Sequence, residues 1–263
     1  MELGLRDKVA IVTGGSMGIG FEAARSLAEE GTAVAICARG LESLEAAAEE
    51  IRSATGSPVL AVRADMTQKQ DIEKLVAEAV AAFGGVDILV LNAGTSIAST
   101  MEQSRDEDWE YDYSLSVIGA VRACRLAVPQ MRQRGGGSII YMAAVTAKAP
   151  AVPNIGISTA GRAAALNFVK VLANEVARDK IRVNAINLGA FWTPLVRSHL
   201  EERAREQNTT LDSVREGLLA GIPLGRLGQP QDAADLVAFL ASDRAGYITG
   251  AAIELDGGWA RYI

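Results

Sequence analysis

The chain has 263 residues, of which 49% are hydrophobic and 22% are charged, a composition typical of a folded protein with a packed core. The formal net charge is −6 and lysine and arginine do not cluster, so nucleic acid is not an expected partner. The apolar runs are too short to cross a bilayer, and the charged opening Met1–Lys8 does not resemble a secretory signal. We therefore expect a cytoplasmic protein without membrane contact.

Seven short runs rich in aliphatic and β-branched residues predict strands, and they alternate with stretches of helix length such as Leu41–Thr55 and Lys69–Phe83. The strand runs are Val9–Thr13, Ala33–Ile36, Val59–Leu60–Ala61–Val62, Ile88–Leu91, Ser138–Tyr141, Arg182–Ile186 and Ala252–Leu255. Several are apolar throughout, as strands covered on both faces are. The alternation predicts an α/β fold, a doubly wound parallel sheet with helices on both faces. No linker or repeat divides the chain, so residues 1–263 are expected to form one domain.

The least regular segment runs from about residue 192 to residue 228. It contains Pro194 and Pro223, and its middle is a charged helix from His199 to Gln207. Because ligands of such folds bind at the carboxyl ends of the strands, a segment inserted after the sixth strand is placed to cover that edge as a lid. The alternative is a solvated surface helix.

Cys37 and Cys124 each lie within an apolar stretch, without the spacing of a metal site. They are predicted to be buried core thiols and not a disulfide. His199 is the single histidine, which excludes a histidine metal cluster, and we expect no metal site. His199 itself is interpreted as a solvated helix residue.

A glycine-rich turn follows the first strand directly, with the order Thr13-Gly14-Gly15-Ser16-Met17-Gly18-Ile19-Gly20, and a helical pattern begins at once. Glycines at such a turn let the backbone approach a pyrophosphate, which then binds to the N–H groups at the start of the helix. The turn therefore predicts a dinucleotide site.

The spacing Thr-Gly-x-x-x-Gly-x-Gly resembles that of short-chain dehydrogenases/reductases, and further landmarks follow in the family's order. They are Asp65 after the third strand, Asn92-Ala93-Gly94 after the fourth, Ile181–Asn184, and Ile248–Gly250 leading to Asp256–Gly258. The resemblance covers nearly the whole chain and implies a Rossmann-type sheet of about seven strands. The cofactor-binding residues that it implies are Gly14, Ser16, Met17, Gly18, Ile19, Gly20, Arg39, Asp65, Met66, Asn92, Ala93, Gly94, Arg162 and Thr193.

The end of the second strand indicates which nicotinamide cofactor is bound. An acidic residue at this place usually binds the ribose 2′-hydroxyl of NAD, but here Ala38 is followed by Arg39. A guanidinium can pair with the 2′-phosphate of NADP, whereas a carboxylate would repel it. NADP is the predicted cofactor and NAD is the alternative, with Arg39 then merely ending a solvated strand.

The family's catalytic positions are all altered. The stretch Leu166–Glu175 resembles the one after the family's lysine, which places Arg162 at the lysine position and Ser158 at the tyrosine position. Ala144 occupies the place of the serine that orients the carbonyl, and Ser116, seven residues beyond Trp109, occupies that of the asparagine. The chain is therefore similar to a divergent subgroup resembling β-ketoacyl-carrier-protein reductases that lacks the Ser-Tyr-Lys set.

These changes alter the proton chemistry. A serine hydroxyl is far less acidic than a tyrosine, which titrates near 10, so Ser158 alone is expected to be a bystander in proton transfer. Arg162 can still bind ribose hydroxyls but cannot exchange a proton near neutrality. Another group would have to supply the proton: Lys148, four residues beyond Ala144, is one candidate and Tyr113 a weaker one; water or the substrate is the alternative. Lys148, Ser116, Ser158 and Arg162 are thus the candidate catalytic residues.

Three functions remain open from the sequence. The first is an atypical NADP-dependent oxidoreductase that acts on a carbonyl or hydroxyl group of a small molecule by hydride transfer. The second is a catalytically silent NADP-binding scaffold or sensor, and the third is a lyase or isomerase that retains the dinucleotide. Small residues on two long helices, Arg105–Gln133 and Ile157–Val176, allow close packing between subunits, and the resemblance implies a homotetramer. Those residues are Gly119, Ala120, Ala163, Ala164 and Ala165.

Overall fold

The computed structural model describes residues 2–150 and 155–262. Seven strands form one sheet in the order β3-β2-β1-β4-β5-β6-β7, and every neighbouring pair is parallel. The strands are β1 (Val9–Thr13), β2 (Ala33–Ala38), β3 (Val59–Arg63), β4 (Ile88–Leu91), β5 (Gly137–Ala144), β6 (Ile181–Leu188) and β7 (Ala252–Leu255). The predicted fold class is confirmed.

Nine α-helices join these strands within the described ranges: α1 (Gly18–Glu29), α2 (Leu41–Thr55), α3 (Lys69–Phe83), α4 (Asp106–Tyr113), α5 (Ala120–Arg134), α6 (Gly156–Val176), α7 (Pro194–Glu206), α8 (Leu211–Leu219) and α9 (Pro230–Ala241). None of the helices described is long and apolar enough to cross a membrane.

Two apolar layers cover the sheet, one on each face. Alternate residues of the strands enter different layers, so Ile139 and Tyr141 of β5 pack with α3, α5 and α6, whereas Ile140 and Met142 pack with α1, α2 and α9. This alternation follows from the pleat of a strand. Cys37 and Cys124 are both buried and unpaired in the first layer, which confirms their prediction as core thiols, and burial raises the pKa of each thiol to about 12.

The predicted long helix over Arg105–Gln133 is interrupted. Between α4 and α5 the residues Ser114–Gly119 form a π-helical segment, which adds an extra residue to the turn. A Cβ atom on Gly119 would lie 2.5 Å from the backbone oxygen of Met66, so this segment packs closely on the loop after β3.

Residues 192–228 leave the sheet and return to the same place. The backbone of Trp192 donates to the Gly228 carbonyl at 2.7 Å, and that of Gly228 donates to the Ala190 carbonyl at 2.9 Å. Helix α7 begins at Pro194, earlier than the predicted His199, because Thr193 caps it: its hydroxyl accepts from the N–H of Val196 at 3.2 Å. The segment has its own small apolar cluster around three buried side chains, Leu200, Ala204 and Val214.

Candidate active site

The glycine-rich turn between β1 and α1 is braced by the start of the loop after β4. The side-chain amide of Asn92 donates to the carbonyl oxygens of Thr13 and Gly14 at 3.0 and 3.1 Å. The Thr13 hydroxyl in turn accepts from the backbone N–H groups of Asn92 and Ala93, each at 2.9 Å. A Cβ atom on Gly20 would lie 2.2 Å from the Gly14 carbonyl oxygen, so only glycine fits there. The turn is fixed in shape before any ligand binds.

The start of α1 offers free backbone donors. Met17, at the N-cap position, provides no side-chain hydrogen bond to the helix, and Gly18 has the left-handed φ of 59° that glycine tolerates. Thr193 lies beside the turn, with its Cβ 3.7 Å from where a Cβ of Gly18 would be. The uncapped N–H groups and the helix dipole suit a pyrophosphate, and the cradle has no room for extra side chains. The residues therefore fit the dinucleotide that the sequence predicts.

A cavity of about 390 Å³ lies at the carboxyl ends of β2 and β3, lined by Arg39, Arg63, Ala64, Asp65, Asp71 and Lys74. The two arginines meet because Ala38 of β2 pairs with Arg63 of β3, and the Nε of Arg63 donates to the backbone oxygen of Arg39 at 3.0 Å. Arg39 Nη1 also donates to the Tyr111 hydroxyl at 2.9 Å. Three cationic side chains around one cavity suit a phosphate group.

The two carboxylates of this cavity are engaged with the chain. Asp65 Oδ1 accepts from the backbone N–H and the hydroxyl of Thr67 at 2.9 and 2.8 Å, and Asp71 Oδ2 accepts from the backbone N–H of Asp65 at 2.8 Å. Met66 is buried, with its sulfur 3.8 Å from that of Cys37, so its side chain belongs to the core. Met66 is therefore placed to offer a ligand only backbone atoms.

Arg162 and Ser158, one turn apart on α6, both contact the loop that follows Gly94. Arg162 Nη2 donates to the Thr95 carbonyl at 2.7 Å, and Nη1 donates to the carbonyl of Ser158 at 3.2 Å. The Ser158 hydroxyl is buried and accepts from the N–H of Ile97 at 3.1 Å. A Cβ atom on Gly94 would lie 3.3 Å from Arg162 Nη2. The predicted residues Gly94, Ser158 and Arg162 are thus brought together.

Ser116 and the unpredicted Asp112 adjoin this pair. The Ser116 hydroxyl lies 3.5 Å from Asp112 Oδ2, and both residues are buried. The Tyr141 hydroxyl of β5 donates to the Ser116 carbonyl at 3.1 Å, and burial, chiefly, raises the pKa of that phenol to about 12. Asp112, Ser116 and Ser158 are buried and Arg162 is half-buried, and together they form one polar cluster between the end of α4, the π-helical segment and the first turns of α6.

Comparison with known proteins places this geometry. A family model described as enoyl-(acyl carrier protein) reductase matches residues 14–260. The chain belongs to the short-chain dehydrogenase/reductase family. Glucose 1-dehydrogenase from Gluconobacter oxydans is 36% identical over 256 residues, which cover 97% of this chain and 92% of that protein. The 3-oxoacyl-(acyl-carrier-protein) reductase FabG from Staphylococcus aureus is 35% identical over 254 residues, 95% of this chain and 97% of its own length.

Solved structures agree with the fold over the full length. The crystal structure of L-sorbose reductase from Gluconobacter frateurii, complexed with NADPH and L-sorbose, has a TM-score of 0.96 and 36% identity, with 100% of both chains covered. Actinorhodin polyketide ketoreductase, crystallised as a variant with NADPH, has a TM-score of 0.92 and 33% identity, covering 97% of this chain and 98% of its own. These proteins share the architecture of this short-chain dehydrogenase/reductase.

Lys148, a candidate proton donor from the sequence, makes its contacts on β7 and not with Ser158 or Arg162. Its ammonium contacts Glu254 Oε1 at 2.5 Å and donates to the Ala252 carbonyl at 3.2 Å, both on β7. Asn187 Nδ2 also donates to Glu254 Oε1, at 3.1 Å. Because a sheet-edge carboxylate lies within reach of the ammonium, Lys148 is held in an ion pair away from the other candidates.

The remaining predicted positions offer little chemistry. Ala144 ends β5 opposite Leu188 of β6 and brings no hydrogen-bonding side chain. Tyr113 ends α4 and is 49% exposed, so it neither packs in the core nor joins the buried cluster. His199 is half-buried on α7. No group of three metal-ligating side chains is found among the residues that the structure describes.

Two site residues, Arg63 and Asp112, are not among those predicted from the sequence. Arg63 directly follows the predicted strand at residues 59–62, and in the structure this strand pairs with the one that ends before Arg39, so both arginines lie at the same edge of the sheet. Asp112 precedes Ser116 by four residues, the spacing that puts two side chains on one helical face. Asp112 belongs to the run Asp106–Tyr113, whose many acids are typical of a solvated helix, so the sequence does not indicate that this carboxyl is buried.

Proposed function

We propose that this short-chain dehydrogenase/reductase is an NADP-dependent oxidoreductase that interconverts a carbonyl and a hydroxyl group of a small molecule by hydride transfer, without the family's Tyr-Lys pair. The observation that carries the proposal is the intact dinucleotide cradle, from the braced glycine turn to the arginine-lined cavity, together with a guanidinium at the lysine position. The NADPH complexes of two structural relatives add support.

Each part of the cofactor has residues suited to hold it. The turn from Gly14 to Gly20 would hold the pyrophosphate, and Arg39 with Arg63 and Lys74 would hold the 2′-phosphate. Asp65 adjoins the same cavity, where the adenine would lie. The ion pairing of a phosphate with three cationic groups favours NADP over NAD.

Arg162 is the residue we assign to the nicotinamide ribose. It lies against Gly94, and its two recorded hydrogen bonds go to neutral backbone carbonyls, so its positive charge is not neutralised by them. Bound NADPH supplies the hydride; the chain's task is to hold cofactor and substrate in reacting geometry and to exclude water. Residues 192–228 are proposed to exclude water as a lid, since the two ends of the segment are hydrogen-bonded to each other beside the glycine turn.

A silent NADP-binding scaffold is the second candidate. The lack of a polar side chain at Ala144 favours it, because that position then offers no hydrogen-bond donor to a substrate carbonyl. Hydride transfer depends more on orientation than on one particular acid, and Arg162 and the cradle provide that orientation. We therefore rank the oxidoreductase first.

Turnover separates the candidates. NADPH oxidation should be followed with a panel of ketoses, aldoses, simple ketones and a 3-oxoacyl thioester, and NADP reduction with the matching alcohols. An oxidoreductase gives cofactor oxidation and alcohol product in equal amounts. Cofactor binding with no turnover of any panel member supports the scaffold, and product formed without change in the cofactor's redox state supports a lyase or isomerase.

Arg162→Ala tests the role of the guanidinium in that assay. Removing the guanidinium should weaken NADPH binding and lower turnover together, because one group positions the ribose and supplies the charge. Lys170→Ala is the matched variant, since Lys170 is exposed on the same helix two turns later and donates to the Gly250 carbonyl. Its kinetics should equal those of the unaltered protein. Full activity of Arg162→Ala would contradict the assignment.

A further inference from the structure

A carboxyl group is buried beside three of the four altered catalytic positions, Ser116, Ser158 and Arg162. Asp112 lies in the last turn of α4 and is 1% exposed. It faces α6 at Gly161, where a Cβ atom would lie 2.3 Å from Asp112 Oδ2. The glycine thus leaves the space in which the carboxyl sits, directly before Arg162 in the chain.

The carboxyl is incompletely paired. Its Oδ2 adjoins the Ser116 hydroxyl at 3.5 Å, and the Ser158 hydroxyl on α6 favours its charged form. Its Oδ1 is buried and finds no partner among the described residues. Arg162, the nearby cation, gives its recorded hydrogen bonds to the carbonyls of Ser158 and Thr95 and not to the carboxyl. A buried carboxylate without a full set of donors is costly, so this environment favours the protonated form.

The balance of charges agrees. Burial raises the pKa of Asp112 above its ordinary value, and it outweighs the opposing attraction of Arg162 on α6 and the hydrogen bonds of Ser158 and Ser116. Tyr141, which faces the cluster from β5, has its own pKa raised to about 12 and is therefore uncharged near neutral pH. Among the residues that the structure describes, Arg162 on α6 and Tyr141 on β5 are the charged or titratable groups that face the Asp112 carboxyl.

We propose that Asp112 is the proton-holding group of this active site and that it exchanges its proton with the substrate through the hydroxyl of Ser158. This inference rests on the proposed function and deepens it, since it supplies the acid that the altered Tyr position lacks. A hydroxyl has one donor and two acceptor sites. Ser158 can accept from the Ile97 N–H, accept from protonated Asp112 and donate to a substrate oxygen, which uses all three. Because Ser158 is 1% exposed, a substrate oxygen can reach its hydroxyl only when the side chains around it move aside.

The reduction then balances. The carbonyl carbon of the substrate accepts a hydride, its C=O π electrons move to oxygen, and that oxygen takes the proton of the Ser158 hydroxyl. Ser158 is reprotonated by Asp112, which becomes a carboxylate and later recovers a proton from water. The substrate is reduced by two electrons and the nicotinamide is oxidised by two. Asp112 does not touch the substrate and acts through Ser158.

The pH dependence of reduction tests the relay. Asp112→Asn cannot release a proton, so we expect kcat to fall about 100-fold, a typical contribution of a general acid. The unaltered protein should lose kcat/KM as pH rises through the carboxyl titration, whereas Asp112→Asn should lack that limb and keep its NADPH affinity. Ser158→Ala should lose as much as Asp112→Asn, and the double variant should be no slower than either, because the two act as a unit.

Asp108→Asn is the matched control. Asp108 lies on the same helix one turn earlier, half-buried and paired with Arg105 at 2.7 Å, outside the buried cluster. It should keep the rate and the pH profile of the unaltered protein. Retention of both by Asp112→Asn, or a Ser158→Ala loss below tenfold with an intact pH limb, would overturn the relay.

A second readout does not need turnover. Infrared spectra of the cofactor-free protein, recorded over a pH series, should keep the C=O stretch of one protonated carboxyl above the pH at which ordinary aspartates ionise, and Asp112→Asn should remove this band while Asp108→Asn leaves it. If no panel substrate reacts, the proposed function fails while this measurement still decides whether Asp112 holds a proton. Absence of the band, or its persistence in Asp112→Asn, would overturn the inference.

Discussion

Replacing Arg39 by aspartate tests the cofactor assignment, because Arg39 is the first cationic residue beyond the second strand. The cavity there is lined by Arg39, Arg63 and Lys74 and by the carboxylates of Asp65 and Asp71. The substitution changes this lining from three cations and two anions to two cations and three anions. A site suited to a phosphate becomes one that repels it.

The magnitude follows from the bonds at stake. A charge-assisted hydrogen bond contributes about 1.5–3 kcal/mol, which corresponds to roughly 10- to 150-fold in affinity. Arg39 is exposed, so solvent screening favours the lower end for the loss of attraction. The new carboxylate adds repulsion of the phosphate and can accept the ribose 2′-hydroxyl of NADH. We expect the NADPH-to-NADH affinity ratio to fall by about 100-fold, two factors of roughly ten, and NADH to become the preferred ligand.

Isothermal titration with both cofactors at one ionic strength measures this ratio. Arg178→Asp makes the same charge change at the opposite edge of the sheet, before β6, and should leave the ratio unaltered. Tyr111→Phe removes the hydroxyl that accepts from Arg39 but keeps the guanidinium, so it should cost far less than Arg39→Asp. An unaltered affinity ratio in Arg39→Asp would refute the assignment of the 2′-phosphate to this cavity.

Three further outcomes are expected. Gly161→Ala should destabilise the fold by about 1–3 kcal/mol in denaturant titration, because the new Cβ atom would overlap Asp112 Oδ2. Gly217→Ala on α8 is the control: the space around Gly217 is open, so this change should be neutral or stabilising. The raised pKa of Asp112 means that the protonated carboxyl stabilises the fold at low pH and that this stability is lost as pH rises through the folded-state pKa. Asp112→Asn does not titrate, so its melting temperature relative to that of the unaltered protein should increase with pH. A difference in melting temperature that stays constant with pH would contradict this. Light scattering at micromolar concentration should give a homotetramer, or failing that a dimer, and a monomer would refute this assembly. Gly119, Ala120 and Ala165 are buried within the subunit, so of the five small residues Ala163 and Ala164 are the ones left to pack between subunits.

Strand positions were the most predictable part of the fold. The bounds of β1, β4 and β7 match their predictions to the residue. β1 and β4 are buried throughout, and a strand covered on both faces has an almost entirely apolar sequence, whereas β7 is only partly buried and contains Glu254. β5 and β6 extend beyond their apolar cores, to Ala144 and Leu188, since pairing with neighbours continues where the composition no longer marks a strand. The glycine turn was equally predictable, because its backbone geometry tolerates few other residues.

The buried cluster was less predictable, since it depends on how helices meet and not on local pattern. The π-helical segment Ser114–Gly119 cannot be read from residue periodicity, and it sets how Asp112 and Ser116 face α6. Lys148 follows β5 closely in the sequence, but its ion-pair partner Glu254 on β7 is more than a hundred residues away. The ion pair forms because β5, β6 and β7 are adjacent in the sheet, and the local sequence around Lys148 does not indicate this.

Isotope transfer tests the central claim most directly. NADPH carrying deuterium at the reactive nicotinamide carbon should be incubated with the protein and the carbonyl panel, and the products analysed by mass spectrometry. Hydride transfer predicts an alcohol with one deuterium at the former carbonyl carbon, formed in step with NADP and strongly reduced in Arg162→Ala. Cofactor that remains unoxidised with every substrate while still binding tightly, or product that contains no deuterium, would contradict the account.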